Sequence, residues 1–126
     1  MISVMIVDDS ESDQFLLKII IEKLNPDIRI LQAYDGQEAL EILADLPKQP
    51  DVIFLDINMP RINGHEFLDK YEKWEEQVAI VIMLTSSDQE RDKEKSMAYK
   101  CVKKYFTKPL DTSALAVVIQ GLSQKS

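Results

Sequence analysis

The sequence predicts an α/β domain, a doubly wound five-stranded parallel sheet with helices on both faces. Five apolar runs alternate strictly with five segments of helical periodicity along the 126 residues. The apolar runs are nearly uninterrupted, which is typical of strands that are buried on both faces of a parallel sheet. Right-handed connections that place helices on both faces then give the doubly wound arrangement.

The first unit is SVMIV (Ser3–Val7), a buried strand, followed by the helical segment DSESDQFLLKIIIEKL. The helix is indicated by apolar residues that recur at helical spacing: Phe15, Leu16, Ile19, Ile20 and Leu24. Ser10, with Asp13 three residues later, resembles a capping box. The tripeptide NPD then ends the helix.

The second and third units follow the same scheme. IRILQA (Ile28–Ala33) is a strand, and the helix in DGQEALEILADL carries apolar residues at helical spacing: Ala39, Leu40, Leu43 and Leu46. DVIFLD is the third strand. A loop containing Pro60 and Gly64 separates it from a helix around His65–Trp74.

In the fourth unit, the apolar run VAIVIML (Val78–Leu84) precedes a highly charged helix, SDQERDKEKSMAY. In the fifth, the mixed strand CVKKYF (Cys101–Phe106) precedes DTSALAVVIQGL, with Asp111 or Thr112 as the helix cap. One stripe of this last helix is apolar enough to dock on the sheet: Leu115, Val118, Ile119 and Leu122.

Composition and charge exclude several classes of protein. Hydrophobic residues make up 45% and charged residues 29%, as in a globular domain. The net charge of −7 argues against direct binding to nucleic acid, and no apolar run could span a membrane. The N-terminus does not resemble a signal peptide, and a single cysteine, Cys101, excludes an internal disulfide. We therefore expect one domain over residues 1–126, with no output domain, in the cytoplasm.

Polar side chains stand at the carboxyl ends of four of the five strands, the edge at which such folds bind ligands. They are Asp8 and Asp9 after the first strand, Asp56 after the third, Thr85, Ser86 and Ser87 after the fourth, and Thr107 and Lys108 after the fifth. Because carboxylates at one edge repel each other, a hard divalent cation such as Mg²⁺ would stabilise them. Together with a lysine and a hydroxyl, they are the components of a phosphoryl-transfer site.

Simpler explanations exist for individual residues. Asp9 and Ser10 could cap the first helix, and Tyr105 could be a half-buried aromatic with no switching role. The single histidine, His65, follows Gly64 at a helix start and is expected on the surface. Cys101 is expected to be a small packed residue, and Trp74 is expected to pack against its own domain.

Four segments resemble the signatures of response-regulator receiver domains: IVDDS, FLDINMPRINGHEFL, IVIMLTSS and YFTKPL. The resemblance covers essentially the whole chain. The chain resembles in particular the single-domain regulators, of which the chemotaxis regulator is the familiar case. It implies a flavodoxin-like sheet with strand order 2-1-3-4-5.

The resemblance also implies site roles. Asp56 is implied as the phosphoacceptor and Tyr105 as the aromatic that changes rotamer on activation. Mg²⁺ is implied to bind Asp8, Asp9, Asp56 and the backbone carbonyl of Asn58. Thr85 and Lys108 are implied to contact the phosphoryl group, and Pro109 occupies a position where a cis bond is frequent.

There are also departures from the family pattern. Ser86 stands where the family prefers the smallest residues, and AYKCVKK lacks the glycine usual before the last strand. Asn58 and Ser87 occupy variable positions that tune dephosphorylation in the family.

The implied function is transfer of a phosphoryl group to Asp56 from a phosphohistidine on a sensor histidine kinase or histidine phosphotransfer protein. Phosphorylation would alter the face made by the fourth helix, fifth strand and fifth helix, which a downstream protein or a second copy would bind. Three alternatives are a small phosphatase with an aspartyl-phosphate intermediate, a flavodoxin-like electron carrier and a phosphorylation-independent scaffold. Asn58 in place of a second acid argues against the first, and the acids of DDSES argue against a flavin phosphate.

Overall fold

The computed structural model describes residues 2–75 and 79–125, and in these the five strands and five helices alternate along the chain. Their bounds are β1 Ser3–Val7, α1 Glu11–Leu24, β2 Arg29–Ala33, α2 Gly36–Asp45, β3 Val52–Leu55, α3 Gly64–Tyr71, β4 Ile80–Thr85, α4 Glu90–Met97, β5 Val102–Thr107 and α5 Thr112–Lys125. The predicted alternation is confirmed. The predicted fourth strand began at Val78, which lies outside the described residues, and the observed strand extends one residue further, to Thr85.

The five strands form one parallel sheet in the order β2-β1-β3-β4-β5, as predicted. β1 and β3 lie side by side in its interior, with Val7 in register with Leu55. Both strands are almost completely buried because helices cover both faces. Their carboxyl ends bring Asp8 and Asp56 to neighbouring positions, and the amide of Asp56 donates to the carbonyl oxygen of Val7 at 3.0 Å.

Two hydrophobic clusters flank the sheet. One combines inward residues of α2 and α3, such as Leu43 and Phe67, with Met5 and Ile53 of the strands. The other is formed where α1 and α5 pack on the opposite face, and it includes the predicted stripe of α5. The stripe residues are Leu115 and Ile119, which are buried, and Val118 and Leu122, which are partly buried. The prediction that helices cover both faces of the sheet is therefore confirmed.

The predicted helix α1 is present, but its apolar repeat does not coincide with its buried face. Phe15 and Leu16 are 66% and 58% exposed, whereas Leu17 and Ile21 are buried against the sheet. Apolar residues occur nearly all around this helix, so their spacing alone did not identify the face that docks. Contact with the sheet decides which residues of α1 are buried, and the buried residues include the polar Gln14.

The capping box predicted at the start of α1 is only half formed. The Ser10 hydroxyl accepts from the Asp13 amide, as expected for a helix cap. The amide of Ser10 donates instead to the Asp8 carboxylate at 2.9 Å, so the Asp13 carboxylate is available for another partner. At α5, Asp111 is the residue whose carboxylate accepts from the Ser113 amide.

The loop after β3 is held close to α2 and α3. The Gly64 amide donates to the Ile57 carbonyl at 2.8 Å, and a Cβ at this position would clash with the Asp56 carbonyl oxygen. A Cβ at Gly36 would clash in the same way with the Ile62 carbonyl oxygen. Only glycine allows these approaches, and they fix the course of the chain immediately after Asp56.

His65 is buried, so its predicted surface position was wrong. Its Nε2 lies 2.8 Å from the hydroxyl of Ser96, the buried residue of α4, and its ring stacks on that of Tyr99. Burial lowers the pKa of His65, and the positive charge of Lys95 acts in the same direction. Cys101 is buried, and Trp74 packs edge-on against Tyr71, as predicted.

Candidate phosphoacceptor site

Asp56 follows the last residue of β3 and is only 6% exposed. One carboxylate oxygen accepts a hydrogen bond from the amide of Ile57 at 2.7 Å. The other oxygen lies 3.2 Å from the ammonium nitrogen of Lys108. The carboxylate of an interior strand is therefore held in place by its own loop and by a residue from the far end of the chain.

Lys108 reaches Asp56 because β5 ends beside β4. Its amide donates to the Thr85 carbonyl at 2.8 Å, and the Lys108–Pro109 peptide bond is cis, as the family resemblance implies. The ammonium group contacts three carboxylates at once: Asp8 at 2.7 Å, Asp13 at 2.8 Å and Asp56 at 3.2 Å. All three N–H donors of the lysine thus have acceptors.

Charge and burial have opposite effects on these groups. Burial alone would lower the pKa of Lys108, but its hydrogen bonds to Asp13 and Asp8 and the charge of Asp56 outweigh burial and raise it. Burial raises the pKa of Asp8, because one lysine shared among three carboxylates only partly offsets the loss of water. The cluster retains an excess of negative charge, which favours a cation.

The residues present fit a hard divalent cation. Carboxylate oxygens of Asp8, Asp9 and Asp56 all lie within 4.8 Å of one another. Asp9 is exposed while the other two are buried, so the group opens to solvent on one side. Oxygen donors with an open side suit Mg²⁺, which keeps several waters. Asn58, whose backbone carbonyl was expected to contribute, is an exposed residue of the loop after β3.

Thr85 and Tyr105 lie beside this cluster and are connected to each other through Ser87. Thr85 is fully buried, and its hydroxyl accepts from the Ser87 amide at 3.3 Å. The Tyr105 hydroxyl donates to the Ser87 carbonyl at 2.8 Å. Within the described chain, no hydrogen bond joins the Thr85 hydroxyl directly to Lys108 or Asp56.

Two residues of this site were not identified from the sequence. Asp13 was assigned only to the capping box, although an acid in the first turn after Asp8 and Asp9 was a signal that it could face the same edge. Gln14 had no signal: its buried amide nitrogen lies 2.8–3.1 Å from the carbonyl oxygens of Ile6, Asp8 and Ala33. It thereby fixes the ends of β1 and β2 against α1.

A cleft of about 300 Å³ opens beside Lys108. Its walls combine the acids of the cluster with apolar residues of α1 and of the segment after β5: Asp8, Asp13, Asp56, Leu16, Leu17, Ile20, Pro109 and Leu110. A second, polar cleft of about 540 Å³ lies on the other side of Asp56's loop, where Asn58 and His65 face Ser87 and Asp92.

Comparison with known proteins decides the family, since residues 4–120 match the response regulator receiver domain. The chain belongs to the receiver-domain family. It is 32% identical over 123 residues to Protein PilH of Pseudomonas aeruginosa, which covers 97% of this chain and 98% of PilH. It is also 32% identical to the sensor histidine kinase CheAY of Helicobacter pylori, but it spans only 14% of that protein.

The fold of this receiver domain also matches that of a solved structure. The signal receiver domain of a DNA-binding response regulator from Colwellia psychrerythraea superposes with a TM-score of 0.88 at 25% identity, covering 98% of this chain and 99% of the other. Family and fold place the protein in two-component signalling and make the flavodoxin-like electron carrier an incorrect alternative. Among the described residues, no helix is long and apolar enough to cross a membrane.

Proposed function

We propose that Asp56 accepts a phosphoryl group from a phosphohistidine on a sensor histidine kinase or histidine phosphotransfer protein. The observation that supports this most directly is the buried Asp56 carboxylate, 3.2 Å from Lys108 and grouped with Asp8 and Asp9. The receiver family and the likeness to PilH support the class of reaction.

The chemistry is a phosphoryl transfer followed by hydrolysis. An oxygen of Asp56 attacks the phosphorus atom, the phosphorus–nitrogen bond breaks, and the partner's histidine leaves with the electron pair. Water later attacks the same phosphorus atom, the phosphorus–oxygen bond breaks, and inorganic phosphate and the Asp56 carboxylate are produced. Lys108 places a positive charge where the phosphoryl oxygens would lie, and Thr85, at the carboxyl end of the neighbouring strand β4, would supply a hydroxyl donor.

We assign Asp8, Asp9, Asp56 and the Asn58 backbone carbonyl to Mg²⁺. When bound, the ion would neutralise the carboxylates and the transferring phosphoryl group. The remaining roles belong to the protein: Gly64 and the Ile57 amide fix the Asp56 backbone and carboxylate, and Gln14 fixes the backbone beneath Asp8.

Any donor protein must cover the edge of the sheet around Asp56, because transfer requires direct contact between phosphorus and oxygen. Next to this edge α1 exposes Phe15 and Leu16, and Leu16 lines the cleft that contains Asp56. We assign this apolar part of α1 to the phosphohistidine-bearing partner, since apolar side chains supply much of the binding free energy at protein interfaces.

We assign the output surface to α4, β5 and α5, for a downstream protein or a second copy of the chain. Tyr105 of β5 connects this face to the loop after Thr85, and Met97 and Val117 are exposed on its two helices. We also propose that this receiver domain acts in the cytoplasm and has no phosphatase activity toward other substrates.

The test is incubation with a small phosphodonor, such as acetyl phosphate, and Mg²⁺, followed by intact-mass measurement. We expect one added phosphoryl group in the wild type and none in Asp56→Asn. Asp88→Asn, which removes an exposed carboxylate from a neighbouring loop, should be labelled like the wild type. Equal labelling of Asp56→Asn would refute the assignment. Labelling by the small phosphodonor without any transfer from phosphohistidine proteins would favour a scaffold role in the cell.

A further inference from the structure

We infer that Asp13 is a positioning residue that keeps hold of the ammonium group of Lys108 when a cation takes over the lysine's contacts with Asp8 and Asp56, and that Asp13 thereby sets the affinity of the site for Mg²⁺. The inference rests on the proposed function, because it concerns the same lysine and the same ion. It adds a fourth carboxylate with a role different from those of Asp8, Asp9 and Asp56.

The geometry separates Asp13 from the other three acids. Its carboxylate lies 2.8 Å from Lys108, but it is not part of the group of carboxylates whose oxygens approach within 4.8 Å of one another. Asp13 therefore binds the lysine from outside the cation site. Its side chain is 42% exposed, whereas Asp8 and Asp56 are buried.

The backbone of Asp13 is fixed independently of this contact. Its amide donates to the Ser10 hydroxyl at the start of α1, and its carboxylate takes no part in the helix cap. A substitution of the side chain consequently leaves the cap in place. The position of the carboxylate is set by the first turn of the helix, and the flexible lysine adjusts to it.

Lys108 and a cation would compete for the same carboxylates. The ammonium group lies 2.7 Å from Asp8 and 3.2 Å from Asp56, both of which we assign to Mg²⁺. A cation that binds these carboxylates must displace at least part of the lysine's contacts. Asp13 supplies an anionic partner that the lysine keeps after this exchange, so the displacement costs less free energy than it would without Asp13.

Removing Asp13 should weaken Mg²⁺ binding for two reasons that act in the same direction. The site loses one nearby negative charge, and Lys108 is left with only the cation ligands as partners. We expect the Kd for Mg²⁺ to rise about three- to tenfold in Asp13→Asn, the size of effect typical of one partly screened charge near a site.

The experiment is calorimetric titration of the unphosphorylated protein with MgCl₂. Glu11→Gln is the matched control, because it removes one exposed carboxylate from the same helical turn without a contact to Lys108. Asp13→Asn and Asp13→Ala are both measured, so that a folding defect in one variant does not decide the result. The same Asp13→Asn change is then made in Lys108→Gln, where we expect less than about a twofold effect, because only the direct loss of one nearby charge remains when the lysine is absent.

The outcomes are distinguishable. A rise in Kd that is larger for Asp13→Asn than for Glu11→Gln, and that shrinks in the Lys108→Gln background, supports the inference. Equal Kd values for the Asp13 variants and Glu11→Gln, or an unchanged effect without Lys108, overturn it while leaving the Mg²⁺ site intact. A wild-type protein that binds no Mg²⁺ overturns both this inference and the proposed cation site.

Discussion

The hydroxyl of Tyr105 donates a hydrogen bond to the backbone carbonyl of Ser87, with 2.8 Å between the two oxygen atoms. Ser87 also donates its amide to the Thr85 hydroxyl and its own hydroxyl to Asp92 of α4. One residue of the loop after β4 thus connects the buried Thr85 at the end of β4, the half-buried ring of Tyr105 in β5 and the first turn of α4. An inward turn of Tyr105 would break this set of contacts.

We predict that a phosphoryl mimic with Mg²⁺ changes amide hydrogen exchange in α4 and β5 as well as around Asp56. Movement of Thr85 would release Ser87, and with it both Tyr105 and Asp92. Tyr105→Phe should raise exchange near Ser87 without the mimic, since a lost hydrogen bond of this kind costs about 1 kcal/mol. Tyr34→Phe, on an exposed ring, is the control. Changes restricted to the loops around Asp56 would rule out the proposed switch.

Mg²⁺ should raise the temperature of thermal unfolding, because it binds a site that exists only in the folded protein. At ten times its Kd the gain is about 1.4 kcal/mol. In Asp9→Asn the increase should fall to less than half, since an exposed cation ligand is lost without disturbing the core. Asp27→Asn, remote in the loop before β2, should behave like the wild type. A melting temperature that is independent of Mg²⁺ would contradict the cation site.

Stability should decrease below neutral pH because His65 is buried with a lowered pKa. Below about pH 6.5 His65 binds a proton more readily in the unfolded chain than in the folded protein. The free energy of unfolding therefore falls as the pH decreases. The slope is at most about 1.4 kcal/mol per pH unit for one group. Lys95 opposes protonation, whereas the carboxylates of Asp92 and Asp69 favour it and reduce the effect.

Urea unfolding of the wild type and His65→Gln between pH 7.5 and 5.5 measures this contribution. Glutamine retains a side chain that can bond to Ser96 but does not titrate. We expect the wild type to lose more stability than the variant over this range. If the free energies of unfolding of the two proteins fell equally with pH, burial of His65 would have no consequence for proton binding.

Phosphotransfer from a protein donor should depend on the exposed apolar surface of α1. Leu16→Gln should slow transfer from a cognate phosphohistidine protein by about tenfold, the usual size of effect for a central interface residue. Labelling by a small phosphodonor should not change, because the Leu16 side chain carries no group that could bind Mg²⁺ or the phosphoryl group. Met97→Gln, an equivalent change on α4, should leave both rates unaltered. An equal decrease in the rate of phosphorylation by small and protein donors would instead indicate damage to the site around Asp56.

The sequence by itself determined the order of elements, the parallel doubly wound sheet and the residues at its carboxyl edge. These follow from local information: uninterrupted apolar runs, helical spacing and polar residues where each strand ends. The bounds of β1 agree with the prediction, and the other elements differ from it mainly at their ends, where hydrogen bonding rather than composition sets the limit.

Only the tertiary structure decided which side chains meet. In α1, apolar residues on most sides made spacing uninformative, and contact with the sheet selected Leu17 and Ile21. His65 is buried because α4 lies over the start of α3 and supplies Ser96 as a partner. The approach of Asp13 to Lys108, 95 residues later in the chain, depends on how α1 and the end of β5 are placed on the same edge. Contacts between distant segments arise from packing of the whole sheet, and no local pattern in the sequence encodes them.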